Sequence, residues 1–527
     1  MNELTPHPAG EPQRTALVPF TGPVAVDTFG GRVHVEWDSQ AAVTPLGQLP
    51  CFIEFLQVSG RFDPWVATCP LVLSSPNAPS TRDLLGTAML AILAGYQRYA
   101  HISALRGDTL NAPLLGMTAV VSEDSVRRNL GKLDAAEGVK WLQDHLEDCV
   151  APVLSEPWIL DGDVTVKPLY GHPERAVKGY NPHKPGRPSP TYHTYFIANL
   201  RLILDVEVQA GERTASKYSS PGLWELLKRL PRAHWPVFIR GDRDWGTEAN
   251  RQRAEQAELP YLYQLRMTAG VKKSVERLLR EAHWTAAGQG WEGAETPLRL
   301  AGWSRARRAI VLRRRVKGDL AVVDQGDPAQ LRLAFAELTD DVIVYAYAVL
   351  ITSLQEEILT LAQWYRDRAD ADNPFDELKN HWGWGGFTTR DLKRCHLMAR
   401  ITALTYNWWS LFVRLAHPRQ HTEAITSRPL LLNAPARLTR HGGQTRLTIS
   451  HPHAEVAWVE KVCREIAAFC KTLRPTAEQV TPPAVLVPNS VAGPGEVPPG
   501  AGITATDFTA GTCLAEKLTR QVPIRQP

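Results

Sequence analysis

Between Pro157 and Arg266 the chain alternates in a way that few folds accommodate. WILDGDVTVKPLYG, HTYFIANL and RLILDVEVQ read as three successive strands. They are followed by the helix PGLWELLKRL, the strand WPVFIRGD, the helix TEANRQRAEQAEL and the strand LPYLYQLRM. Proline in the first turn of PGLWELLKRL suits a helix start. Three strands, then helix, strand, helix and strand, specify a mixed sheet covered by helices, an α/β (α+β) architecture.

Two of these strands carry acids. Asp161 and Asp163 are two apart and share a face of the first strand, and Asp242 closes the fourth. A carboxylate in an apolar strand is costly unless it is paired or bound to a metal. A third acid, Asp372, lies in the charged stretch YRDRADADNPFDELKNHWGW, residues 365–384. On a single helix advancing ~100° per residue, Tyr365, Arg368, Asp372 and Lys379 share an arc of ~60°, and Glu377 points ~140° away from Asp372. Three such carboxylates suit Mg²⁺ or Mn²⁺, hard cations that take oxygen ligands and leave positions for phosphate oxygens. Two ions ~3.5–4 Å apart activate a water or hydroxyl and stabilise the leaving oxygen of an in-line phosphoryl transfer. Pro374 raises an alternative: a helix starting at Asn373 would exclude Asp372 and make Glu377 the third ligand.

The remaining chain of 527 residues frames this block. Residues 1–80 are rich in Pro and Gly with short β-like runs such as GRVHVEWD. From Thr81 the pattern is helical, and Ser122 is placed to cap a helix bearing Arg127 and Arg128, which resembles a helix-turn-helix DNA reader. WSRARRAIVLRRRVKGDLAVVD, with seven basic residues between Arg305 and Lys317, marks a β-rich insertion, and helix is expected again from about Asp341. The tail after Pro475 is Pro/Gly-rich. Seven cysteines without a C-x-x-C pair argue against a disulfide framework or zinc ribbon. His172, His183 and His193 lack zinc-ligand spacing. No apolar run reaches the ~18 residues of a membrane span, and without an apolar leader the expected location is the cytoplasm, at the nucleoid. A net charge of +4 permits a polyanionic partner.

Taken in order, Asp163-x-Thr165, Arg240-Gly-Asp242 and Tyr365-x2-Arg368-x3-Asp372-x6-Lys379 resemble the bacterial insertion-sequence DDE transposases of the cut-and-paste group with a Tyr-Arg-Glu-Lys motif. GYNPHKPGRPSPTYHTYF and WGWGGFTTRDL are similar to that group as well. The motif has Glu where this chain has Asp372. The resemblance spans roughly 156–415 and implies a ribonuclease-H-like catalytic core with the insertion between the second and third acids. The spacings, 242 − 163 = 79 and 372 − 242 = 130 residues, leave room for it. The expected organisation is a poorly defined region 1–80 and a helical DNA-binding region 81–155. The first part of the core follows at 156–266, with the insertion at 267–345 and the helical remainder at 346–415. A C-terminal region 416–475 and a tail 476–527 complete the chain.

The resemblance further implies that Asp163, Asp242 and Asp372 are catalytic and hold Mg²⁺ or Mn²⁺. Tyr365, Arg368 and Lys379 would grip DNA phosphates, joined by Lys178, Lys184 and Arg187 and by the arginines of the insertion. Trp382 or Trp384 could stabilise an unstacked base, although an aromatic after a helix is usually core. The implied partners are double-stranded DNA, as transposon ends and target, and a second protomer or more in the synaptic complex. A decayed or repurposed DNA-binding protein and a host nuclease on the same fold are the alternatives.

Overall fold

The structure is a computed structural model describing residues 23–38, 41–167, 177–178, 186, 188–211, 218–281, 283–316, 344–384, 386–387, 391–418 and 421–473. The side chains of residues 369–373 lie outside this description. The chain divides into two compact units, Met1–Ala42 and Val43–Pro527. The first contains a hairpin of β1 (Val24–Thr28) and β2 (Gly31–Val35), turned at Gly31 with φ +114°.

The second unit opens with the short strand β3 (Val43–Thr44) and helices α1 (Leu49–Val58) and α2 (Phe62–Ala67). Next come α3 (Thr81–Leu93), α4 (Asn111–Leu114), α5 (Glu123–Leu130) and α6 (Ala135–Val150). Ser122 caps α5 as expected, accepting a hydrogen bond from the Ser125 amide at 3.2 Å. The central block then follows the alternation read from the sequence: β4 (Ile159–Val166), β5 (Thr191–Ile197), β6 (Leu202–Gln209), α7 (Ser220–Arg229), β7 (Phe238–Gly241), α8 (Glu248–Gln256) and β8 (Tyr261–Gln264). These five strands lie in the order β6-β5-β4-β7-β8. Pairing is antiparallel from β6 to β4 and parallel across β4-β7-β8. The result is the expected mixed sheet covered by helices.

The insertion continues that sheet. After α9 (Ala269–Glu281) come β9 (Thr285–Gly288), β10 (Trp291–Leu298), β11 (Arg307–Val316) and β12 (Val344–Thr352). β12 pairs antiparallel with the β8 edge, giving nine strands in the order β6-β5-β4-β7-β8-β12-β11-β10-β9. Helix was expected here from about Asp341. The run VYAYAVLIT is instead β-branched and aromatic, and it covers an edge that would otherwise expose unpaired backbone.

Helices α10 (Ile358–Arg366), α11 (Ala369–His381), α12 (Leu392–Ala416) and α13 (Ala424–Leu431) follow. Strands β13 (Ala436–His441) and β14 (Gln444–Ile449) and helix α14 (Val456–Leu473) end the described chain. α12 lies against β6, α6 and α3. The buried Arg400 of α12 clamps Asp205 of β6 with bonds of 2.9 and 3.1 Å, and Gln143 of α6 donates to the same carboxylate at 2.7 Å. The helices of 81–155 are thereby packed onto the sheet-bearing core. No described helix is long and apolar enough to cross a membrane.

Candidate active site

The site is built on the parallel pair at the centre of the sheet. Its register sets Asp161 opposite Arg240 and Gly162 opposite Gly241, so Asp163 and Asp242 come next on adjacent strands. The two glycines have one explanation. A Cβ on Gly162 would stand 2.3 Å from the Trp245 ring, and one on Gly241 2.5 Å from it. The indole, 1% exposed, lies across both strands where only hydrogen is tolerated.

Asp161 and Asp163 share a strand face and differ in surroundings. Asp161 is fully buried and bound in two bonds of 2.6 Å by Arg240, which also donates to the Trp364 carbonyl of α10. That acid is neutralised within the protein. Asp163 receives Arg368 Nη2 at 2.8 Å. Burial, then the charge of Asp163, push Asp242 up to about 6, against the pull of Arg368. The Asp244 amide donates to Asp242 at 2.9 Å. Burial works against the charge of Arg368, yet Asp163, Tyr365, Asp242 and Asp161 together hold its pKa above the usual value. Its Nε is buried without a hydrogen-bond partner among the described residues. Tyr365 stands in the same field, its hydroxyl donating to Gln264 at 3.1 Å and its pKa pushed up to about 12 by burial.

The continuous helix expected across 365–379 is broken. α10 stops at Arg366, and Arg368 is the N-cap of α11, so the angular reckoning from Tyr365 does not apply. The break lets Arg368 leave the helix surface and reach Asp163. Asp372 falls in the first turns of α11, with Pro374 inside the same helix; its side chain lies outside the described residues. Glu377 is 2% exposed and accepts from Trp382 Nε1 at 3.0 Å and the Ala424 amide at 2.8 Å, with His421 at 3.1 Å. Burial alone would raise its pKa, but these bonds, led by His421, lower it. Its carboxylate joins α11 to α13.

Trp382 is wholly buried, edge-on to Tyr406 and under Arg428. Trp384 is 3% exposed and donates to the Ala399 carbonyl, with Tyr192 5.4 Å away. Lys379 lines a pocket with Trp384. Arg127 and Arg128 are exposed, and both pair with Asp124. Arg305, Arg307, Arg308 and Arg313 of the insertion are in ion pairs with glutamates. Lys178 bridges to Pro188; Lys184, Arg187, His172 and His183 lie outside the described residues. His193 is buried between Thr191 and Ser219. Gln264, Asp244 and Lys167 went unread in the sequence. Only Lys167, a charge ending an apolar strand, carried a signal.

The sequence profile of the transposase DDE domain, group 1, matches residues 78–470. The chain belongs to this DDE transposase family. The match takes in helices α3 to α6 before the sheet as well as the acids. Among solved structures, a piggyBac transposase synaptic complex with hairpin DNA is similar at 10% identity and a TM-score of 0.38, covering 93% of this chain and 89% of that one. No curated protein matches the sequence.

DDE transposases use divalent metal ions, and the donor chemistry here fits one. Asp163 and Asp242 are adjacent oxygen donors whose mutual repulsion is already visible in the raised Asp242. Among the described residues no group of three His, Cys, Asp or Glu side chains forms a metal cluster. The Asp372 side chain lies outside the residues searched.

Proposed function

We propose that this DDE transposase binds the terminal inverted repeats of its own insertion sequence and carries out metal-dependent cleavage and strand transfer. The observation that carries the reading is the side-by-side placement of Asp163 and Asp242 with Arg368 drawn onto them, inside a chain of this family. Asp163, Asp242 and Asp372 are the acids that would hold Mg²⁺ or Mn²⁺, which when bound activates a water or 3′-hydroxyl and stabilises the leaving oxygen. Arg368, held by Asp163 and without a partner for its Nε among the described residues, would turn that donor to a phosphate oxygen at the reacting centre. Tyr365 and Lys379 would add contacts to the phosphates of the same strand. Joining two ends requires their synapsis, so the working assembly contains at least two protomers.

A supercoiled plasmid carrying the inverted repeats that flank the gene tests this. Excision and strand transfer in Mg²⁺, lost in EDTA, are expected. Binding of the repeats with no cleavage in Mg²⁺ or Mn²⁺ would establish the alternative, a decayed DNA-binding copy, to which the Asp in place of the motif's Glu gives some weight. Cleavage without preference for the repeats would indicate a host nuclease.

A further inference from the structure

Past the acids, β4 runs through Thr165 to Val166, and Lys167 directly after it stays tied to the next segment, its amide donating to the Pro190 carbonyl. Here the chain encloses a pocket of about 250 Å³, lined by Gln97, Thr165, Lys167, Tyr192, Lys379 and Trp384 among others. Lys167 is 5% exposed, its ammonium donating to the Gly386 carbonyl and, at 3.5 Å, to Tyr192 Oη. An ammonium has three donors, so one is left without a partner among the described residues. No carboxylate pairs with Lys167 among them, although buried charges are ordinarily paired. Lys379 brings a second cation to the same walls. Two lysines, an amide, a hydroxyl and two aromatic walls make a site for an anion. Asp163 and Lys167 are four residues apart on one strand face, ~13 Å at ~3.3 Å per residue. That distance spans roughly four nucleotides of one DNA strand at ~3.4 Å rise.

We propose that this pocket holds a backbone phosphate of the DNA strand whose scissile bond lies at Asp163 and Asp242, with Lys167 as a positioning residue outside the family motif. The assignment rests on the DNA-cleaving function proposed above. Burial, opposed by the charge of Cys395 on α12, pulls Lys167 down to about 7. The titratable groups facing it are Tyr192 on β5, Lys379 on α11, Cys395, and Tyr99 behind Tyr192. A phosphate in the pocket binds only the charged amine, so DNA affinity contributed by Lys167 falls as pH rises above 7.

The experiment measures binding of a labelled duplex bearing one terminal repeat to the full chain, in EDTA, between pH 6.5 and 8.5. Wild type is expected to bind ~10-fold more weakly at pH 8.5 than at 6.5. Lys167→Arg keeps its charge and should hold its affinity across that range. Lys167→Gln should bind ~10-fold more weakly at pH 6.5, with the slope of log affinity on log salt reduced by about one. A melting curve on each variant establishes folding, and Arg serves where Gln fails to fold. The same pH loss in Lys167→Arg as in wild type, or an unchanged salt slope in Lys167→Gln, overturns the pocket assignment. Inorganic phosphate raising the Lys167 pKa while the duplex leaves it unmoved would also overturn it, in favour of a free anion. Wild type that binds the duplex but never cuts it in Mg²⁺ sinks the transposase reading and leaves the pocket to be judged on binding. Wild type that does not bind the duplex sinks both.

Discussion

Asp161 and Asp163 occupy the same face of the same strand, and their partners separate their tasks. The Asp161–Arg240 pair is buried on both sides and satisfied by two short bonds and a carbonyl. Breaking one side of such a pair leaves an uncompensated buried charge and costs ~3–5 kcal/mol. Asp161→Asn is therefore expected to lower the melting temperature sharply while folded protein binds DNA as before; an unchanged melt would show that Arg240 finds another counter-charge. Arg368 is the contrasting case. Its guanidinium is held by Asp163, yet its buried Nε has no hydrogen-bond partner among the described residues. The sequence singled out Asp163, Asp242 and Arg368 because type and order matched a known motif. It could not reveal that Asp161 was already neutralised, because that depends on which residue β7 sets opposite it.

At the scale of elements, the parallel pairing of β4 and β7 under Trp245 fixes the position of the acids. Gly162→Ala should cost ~1–3 kcal/mol by overpacking against the indole, with a matching loss of cleavage as the strands shift. In a Trp245→Leu background the same change should cost far less. Additive effects in that double-mutant cycle, read by denaturant unfolding, would remove Trp245 from the explanation. The strand–helix alternation of 157–266 was legible because each strand is short, apolar and bounded by turn residues. β12 was misjudged because a continuous apolar run does not by itself distinguish strand from helix. The break between α10 and α11 was invisible for a different reason. No Pro or Gly marks residues 367 and 368; the pull of Asp163 on Arg368 is a tertiary effect.

On the scale of the whole molecule, buried titratable groups set how the fold responds to pH. His193 and Glu207 face each other across β5 and β6. Burial pulls His193 down from 6.5 to about 4, so its contribution is present above pH 6.5 and lost as pH falls through 4. Burial, then Asp205, push Glu207 up from 4.5 to about 7, so its contribution is present below pH 4.5 and lost as pH rises through 7. The two, each worth ~3 kcal/mol, nearly cancel. His396, also buried and kept neutral, leaves a net loss toward acid. Glu207→Gln removes one side of the balance. Its unfolding free energy should therefore fall ~3 kcal/mol more steeply than wild type between pH 6.5 and 4; parallel curves would contradict the pairing. The catalytic claim has the same reach, since its acids come from β4, β7 and α11, with 372 − 163 = 209 residues between first and last. Single-turnover nicking of a terminal-repeat duplex in Mg²⁺ is the direct measurement. Asp163→Asn, Asp242→Asn and Asp372→Ala are each expected to lose at least ~100-fold in rate while still binding the duplex. Glu377→Gln, altered only in the contacts joining α11 to α13, should nick within a few-fold of wild type once folded. Survival of nicking in Asp372→Ala together with its loss in Glu377→Gln would contradict the assignment of the third acid and the account of α11 on which it rests.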